Sequence, residues 1–453
     1  MQGFRLHGCE VKILAYADDL VLVCSDKRSV QNAMVCVSDF CAASGAAVNK
    51  EKSCGSWCGV WGTEPSRFVD ITWSTRKPQL LGVPLSAMDN PKSMWDNVVT
   101  SVKTAARMWN MRYLSIFGRV AVCNIFFLSK VMYVLQVIHC SIMTVNKFNR
   151  IFATFIWKSS YEPMRRSNLF RSIEDGGLGL GHIFVRQLIA RWKFFRQPQH
   201  PFLEICKKIF LTNYIEASDR LENTHVILTL QGFYKEVADT LDFLKVRFDH
   251  AFLESCSKRS LVKQLLQTLF PEPLYRLAPF DPPENCKIDL MKRIKRMPIP
   301  PKCKTFFFRF HTRTVPVKDW LDSRGFEEAW SLDCRLCKTT ETFTHAFVIC
   351  VDAVFFWVVF KRTLKKDFEV DEKILRYLHF SEHLDSVLDM LVVLGLYSLW
   401  KTRKVDTDGG VAKPSWVNFE NIAISVAQRM LQGCEDEEWK EVVHVLSRSP
   451  DII

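Results

Sequence analysis

Three groups of residues have types and spacings that could do chemistry. Asp18 and Asp19 stand side by side between two aliphatic runs, Val11-Lys-Ile-Leu-Ala-Tyr-Ala and Leu20-Val-Leu-Val-Cys24. Adjacent carboxylates repel, and strands disfavour Asp. A divalent cation such as Mg²⁺, which prefers hard oxygen ligands, relieves that repulsion. Two such ions can stabilise the attacking and leaving oxygens of a phosphoryl transfer. The other reading is a plain Asp-Asp turn with no ligand. Further on, Cys334-Arg-Leu-Cys337 is followed by His345 and Cys350, the spacing C-x₂-C-x₇-H-x₄-C. Three thiolates and one imidazole suit tetrahedral zinc, Zn²⁺, in a closed structural site. The alternative is four side chains that coincide in a chain of 16 cysteines. Cys54 and Cys58, with three residues between them, lack partners and read as packing.

The third group is basic. Between Lys287 and Lys318 ten Lys and Arg, among them Lys292, Arg293, Lys295 and Arg296, face the single acid Asp289. Such a cluster can neutralise phosphates, and interleaved aromatics can stack on unpaired bases. Phe306, Phe307, Phe308 and Phe310 crowd too closely to be all surface, so they read mostly as core, and a solvated basic face is the competing account of the charges. Arg112 and Arg119, with Arg107, Lys158, Arg165 and Arg166, form a second possible phosphate-tracking surface.

The elements that must position these groups follow from local pattern. The aliphatic runs predict a strand–turn–strand with the acidic pair in the turn. A helix is expected from about Lys27 to Ala43: Val30, Met34, Val37 and Cys41 recur at helical spacing, Ser25 or Asp26 can cap it, and Gly45 suits its end. A short strand pair is expected around 47–60 and 79–84. From Asn90 to about Arg196 the period is helical, through Trp95, Val98 and Val102, then Ile116, Val120 and Cys123, then Val145, Phe148 and Phe152. The cluster Gly176-Gly-Leu-Gly-Leu-Gly181 breaks the pattern as a loop. Pro271, Pro273, Pro279, Pro282 and Pro283 mark a linker, and a helical tail follows from about Val370.

Composition bounds the rest. At 453 residues and 52.6 kDa, with 48% hydrophobic and 24% charged residues, the chain is not disordered or fibrous and has room for two to four domains. Its net charge of +12 favours a polyanion as partner, nucleic acid before membrane. No signal peptide opens the sequence, so the cysteines read as reduced thiols. Val120 to Cys140 and Leu388 to Trp400 are apolar, but the first carries Asn124, Lys130, Gln136 and His139 and the second falls short of the roughly 20 residues of a span. Both read as buried helices of a soluble, intracellular protein, nuclear or cytoplasmic and not secreted.

Ala15-Tyr-Ala-Asp-Asp19 with its apolar flanks resembles the catalytic hairpin of reverse transcriptases, specifically those of non-LTR (LINE-type) retrotransposons. The resemblance continues in order through Phe40-Cys-Ala-Ala-Ser-Gly45 with Val48-Asn-Lys-Glu-Lys-Ser53, then Leu80-Leu-Gly-Val-Pro-Leu85, Leu114-Ser-Ile-Phe-Gly-Arg119, Phe155-Ile-Trp157 and Gly176-Gly-Leu-Gly-Leu180. The cysteine cluster, with Glu341, Phe356 and Trp357, is similar to the zinc-binding element that follows many of these polymerases. The resemblance implies that Asp18, the more direct ligand, and Asp19 bind Mg²⁺ in a polymerase palm. It places Tyr16 near the primer end and Lys52 near the incoming nucleotide's phosphates, a solvated strand-end charge being the alternative for Lys52. Leu80, Gly82 and Val83 correspond to the primer grip, although the family usually has Tyr where Leu80 stands.

The family's palm carries another catalytic Asp on an earlier strand. None of the 17 residues before Asp18 is Asp, and Glu10 is their only acid. The expectation is therefore an α+β chain: partial palm over 1–89, helical thumb over 90–200, helical connection and linker over 201–283, basic segment and zinc element over 284–360, and helical tail over 361–453. Its expected function is that of the C-terminal part of an RNA-directed DNA polymerase, inactive alone, with an RNA template and a DNA primer or target as partners and no membrane or specific protein partner indicated. The alternative is a non-catalytic nucleic-acid-binding remnant with a structural zinc site.

Overall fold

The computed structural model describes residues 1–58, 67–74, 79–84, 91–197, 200–216, 230–271, 289–326, 331–380, 386–403, 413–433 and 436–448. Helices dominate and the strands are few and short, which makes the chain α+β. It divides into two compact units, neither continuous in sequence: Met1–Ala105 with Phe127–Asn149 and His182–Leu265, and Ala106–Phe126 with Arg150–Gly181 and Leu266–Ile453. Residues of the segment 90–200 contribute to both units. Composition and proline position mark breaks along a chain, but they carry no information about which helices share a core. Most of the expected proline-rich linker lies outside the described residues.

Among the described residues all the strands lie in the first unit. Phe4–Leu6 pairs with Cys9–Val11, and Ile13–Tyr16 pairs antiparallel with Asp19–Leu22. Glu10 ties the opening together: its carboxylate accepts from the Gly3 N–H at 2.7 Å and pairs with Arg5 and Lys12. The Gly3 hydrogen bond, aided by those two cations, holds the Glu10 pKa down to about 2. A three-stranded sheet follows, with Ile71–Ser74 between Cys54–Ser56, parallel to it, and Arg67–Phe68, antiparallel. Cys54 and Cys58 are both exposed, which corrects their reading as packing residues. Among the described residues the cysteines are not joined to one another.

The helix Lys27–Ser44 begins and ends where its caps dictate. Asp26 accepts from the Ser29 N–H at 2.7 Å, and Gly45, at φ +73°, turns the chain and donates to the Cys41 carbonyl. Later in this unit the buried Arg191 organises three segments. It donates to the carbonyls of Leu135 and Gln136, pairs with Glu236, and lies 4.5 Å over the Phe233 ring.

In the second unit the helix Pro301–His311 is the centre of the core. Phe306, Phe307, Phe308 and Phe310 are all buried, as their crowding requires. Phe308 meets Phe117 edge-on, and the Thr305 hydroxyl accepts from the Ile116 N–H. The helix Ser386–Arg403 is buried on nearly every side, and the face of Gly395 touches Phe356, where a side chain would have no room. Among the described residues one helix, Ile116–Leu135, is long and apolar enough to cross a membrane, and half of it is buried within the protein. It contains a π-turn at Cys123–Phe127. There Asn124 accepts from the Gly181 N–H and donates to the Gly179 carbonyl, fixing the glycine loop.

Candidate metal centres and nucleic-acid surface

The acidic pair sits on a two-residue hairpin. Tyr16 lies opposite Asp19, so Ala17 and Asp18 form the turn and Asp19 begins the returning strand. Ala17 takes φ +52°, a left-handed conformation that a residue with a side chain adopts only at a cost, which makes a tight reversal possible without glycine. Asp18 and Asp19 are exposed, and neither makes an ion pair among the described residues. Tyr16 is 69% exposed beside them, and Ile13, Leu14 and Leu20 are also open to solvent. The donor set of two unpartnered carboxylates fits a hard divalent cation. Among the described residues, however, no third carboxylate, His or Cys completes a metal-sized cluster with this pair.

Lys52 is exposed at the end of an Asx turn in which Asn49 accepts its backbone N–H. Leu80 and Val83 pair across the turn Leu81-Gly82, whose φ values of +49° and +76° suit a tight hairpin. The Tyr133 hydroxyl donates to the Leu81 carbonyl, and Val83 is buried. Tyr16, Lys52, Leu80, Gly82 and Val83 all belong to the first unit.

The cysteine cluster is assembled as its spacing requires. The ligand atoms of Cys334, Cys337, His345 and Cys350 all lie within 4.8 Å of one another. A tetrahedral centre with Zn–S bonds of about 2.3 Å separates two sulfurs by about 3.8 Å. Here Cys350 Sγ is 3.9 Å from both Cys334 Sγ and Cys337 Sγ, and Cys337 Sγ is 3.2 Å from His345 Nε2. The residues therefore fit zinc. The knuckle closes through the Cys334 N–H to the Thr339 carbonyl and the Lys338 N–H to the Cys334 carbonyl.

The other ligand pair depends on an unusual turn. In an α-helix two residues five apart lie about 140° away from each other around the axis. His345–Ile349 instead forms a π-helix, and the Cys350 N–H donates to the His345 carbonyl at 2.8 Å. A hydrogen bond from the N–H of residue i+5 to the carbonyl of residue i brings residue i+5 back over residue i, and so both ligands to one side. The Trp357 indole N–H donates to the Phe347 carbonyl beneath this turn.

Two contributors to the centre carry no signal in the sequence. The Thr339 hydroxyl approaches Cys337 Sγ at 3.1 Å and is the main cause that lowers the Cys337 thiol to about 7, with its neighbouring thiols helping. Arg403, at the far end of the buried helix, donates to Cys334 Sγ at 3.1 Å and to the Ala346 carbonyl. Burial raises the Cys334 thiol, but the N–H groups of Cys337 and Leu336, with His345 and Arg403, outweigh it and the net direction is down.

The structure sorts the basic residues. Arg119 is buried, donates to Asn110 and to the Phe155 carbonyl, and stacks on the Phe155 ring, so it belongs to the core and not to a phosphate-tracking surface. Arg293 is likewise removed from that surface by its ion pair with the buried Asp389. Both corrections have one cause: a guanidinium can satisfy several buried acceptors at once, and sequence cannot show those acceptors. Arg313 pairs with Glu372, Arg166 with Glu162, and Lys318 donates to the carbonyls of Ser331 and Asp333. Arg112, Lys295 and Arg296 remain exposed, while Lys287 lies outside the described residues. Arg119→Met is expected to lower stability by about 2–3 kcal/mol, by leaving the Phe155 carbonyl and Asn110 without a donor, while leaving the salt dependence of nucleic-acid binding unchanged. Urea unfolding and a binding titration measure the two.

Residues 2–85 match the family described as reverse transcriptase (RNA-dependent DNA polymerase), and residues 274–357 match zinc-binding in reverse transcriptase. The chain is also similar to the transposon TX1 uncharacterized 149 kDa protein of Xenopus laevis, 32% identical over 261 residues that cover 52% of this chain and 19% of that protein. It thus spans less than a fifth of the length of that curated relative.

Proposed function

We propose, for a chain that belongs to the reverse transcriptases of non-LTR retrotransposons, that it supplies the carboxylates of Asp18 and Asp19 to a divalent-metal nucleotidyl-transfer site and does not polymerise by itself. Asp18 and Asp19 would hold Mg²⁺, which when bound would supply stabilisation of the attacking and leaving oxygens. The hairpin's own part is to hold Asp18 in the turn and Asp19 opposite Tyr16, with both residues open to solvent. The observation that carries the second half of the reading is the incomplete donor set, since no third ligand stands with the pair among the described residues. An RNA template and a DNA primer or target are the partners this reading assigns. Arg112, Lys295 and Arg296, all exposed, are cations that can meet their phosphates.

Primer extension on an RNA template tests the reading. These 453 residues with Mg²⁺ should incorporate no more nucleotide than the Asp18→Asn/Asp19→Asn variant, while still binding the template–primer. Incorporation that the double variant abolishes would show that the pair is a complete catalytic site. Absence of any nucleic-acid binding would remove the polymerase reading altogether.

A further inference from the structure

A cavity of about 410 Å³ opens in the second unit between the glycine loop and the helix Leu290–Arg296. Its walls are Ser172, Ile173, Glu174 and Gly179 on one side and Lys292, Lys295 and Arg296 on the other. The helix has two distinct faces. Leu290, Met291 and Ile294 are buried and Arg293 holds Asp389, which turns Lys292, Lys295 and Arg296, spaced i, i+3 and i+4, together into the cavity. The opposite wall is held in shape by Asn124, which bonds to both Gly179 and Gly181, and by the Gly179 N–H to the Arg171 carbonyl at 2.7 Å.

Three cations face one carboxylate across this space. Glu174 pairs with Lys292 at 2.5 Å, and neither Lys295 nor Arg296 makes an ion pair among the described residues. The volume lies in the range of about 300–1,000 Å³ typical of ligand sites, enough for a nucleotide and too small for a duplex. We propose that this cavity binds the backbone phosphate of a single nucleic-acid strand through Lys295 and Arg296, with Glu174 holding Lys292 in reserve as a brake on affinity. The inference rests on the nucleic-acid reading above. It adds the place, the residues and a carboxylate that opposes binding.

The test is anisotropy of labelled single strands of one sequence, made as RNA and as DNA, titrated with salt against the full chain. Each phosphate contact to a single strand contributes a slope of about −0.7 in log K against log salt. Lys295→Gln/Arg296→Gln should flatten the slope by about 1.4, so that a fourfold rise in salt costs about sevenfold less affinity. Glu174→Gln should act in the opposite sense, tightening binding and steepening the slope by about 0.7 as Lys292 becomes available. Adding Lys292→Gln to Glu174→Gln should cancel that gain. Equal effects on RNA and DNA identify the phosphate as the ligand, whereas an effect on RNA alone would overturn a phosphate-only site. Variant slopes equal to those of a wild-type chain that binds both strands would refute the cavity while sparing the wider reading. A wild-type chain that binds neither strand would refute both. Because tightening cannot come from a misfolded variant, Glu174→Gln guards the test against loss of structure.

Discussion

Purified chain is expected to carry one zinc ion, and Cys337→Ser or a strong chelator should unfold the segment from about Leu332 to Cys350 selectively. Four ligands drawn from a knuckle and a π-turn have little else to hold them in register. The knuckle contributes one isolated bridge, Asp333 to Thr340, and a π-turn is a strained local choice that the ligand pair at His345 and Cys350 rewards. An unfolded chain has no preformed site, so metal-binding free energy, about 10–16 kcal/mol in small zinc units, becomes folding free energy. Less than that will be lost here, because Phe347 packs against Phe306, Phe310 and Phe343 and the Trp357 indole anchors the turn from below. Hydrogen exchange should therefore rise sharply over 332–350 after chelation while 386–398 and 301–311 stay protected. Metal analysis together with an absorption edge fitted by three sulfurs and one nitrogen gives the direct measurement. Metal-free protein with full protection over 332–350 would return the cluster to reduced core thiols.

Arg403→Leu should have the second largest effect, although Arg403 is no metal ligand. Three thiolates and a neutral imidazole around Zn²⁺ carry one net negative charge, and Arg403, 3% exposed, supplies the nearest buried cation. It also serves the Ala346 carbonyl, which lies within the π-turn, and stands 3.8 Å from the buried Glu341. Its loss removes a donor from the Cys334 sulfur and the Ala346 carbonyl and a cation from beside Glu341 in a water-poor site. Breaking a buried pair from one side costs about 3–5 kcal/mol. Removal of a group that orients a metal's ligands lowers metal affinity by about 10–100-fold. Competition with a graded set of chelators should show that loss, with Arg403→Lys falling between wild type and Leu because an ammonium lacks the planar fork. Wild-type zinc affinity in Arg403→Leu with only a drop in unfolding free energy would make the contact a packing feature.

The local elements were readable because their determinants are local. The helix Lys27–Ser44 is set by Asp26, by an apolar repeat and by Gly45, all within 20 residues, and the structure places its ends accordingly. The acidic hairpin needs only two aliphatic arms and a two-residue turn, and the zinc ligands announce themselves through spacing, because a knuckle and a turn impose fixed intervals on the chain. The burial of the phenylalanine run follows from density alone.

What the sequence could not decide is which partner each charge has. Arg119, Arg293, Lys295 and Arg296 are alike as letters, yet the first lies against Phe155, the second holds Asp389 nearly a hundred residues away, and the last two line a cavity. A charge is committed to structure or left for a ligand by the dielectric around it and by acceptors that arrive from distant segments, and neither quantity has a period or a spacing. The same holds for Arg403, which reaches the zinc ligands from the end of a remote helix, and for the helices of 90–200, which are distributed between two cores. Short-range geometry is written in neighbouring residues. Long-range complementarity exists only once the chain has packed.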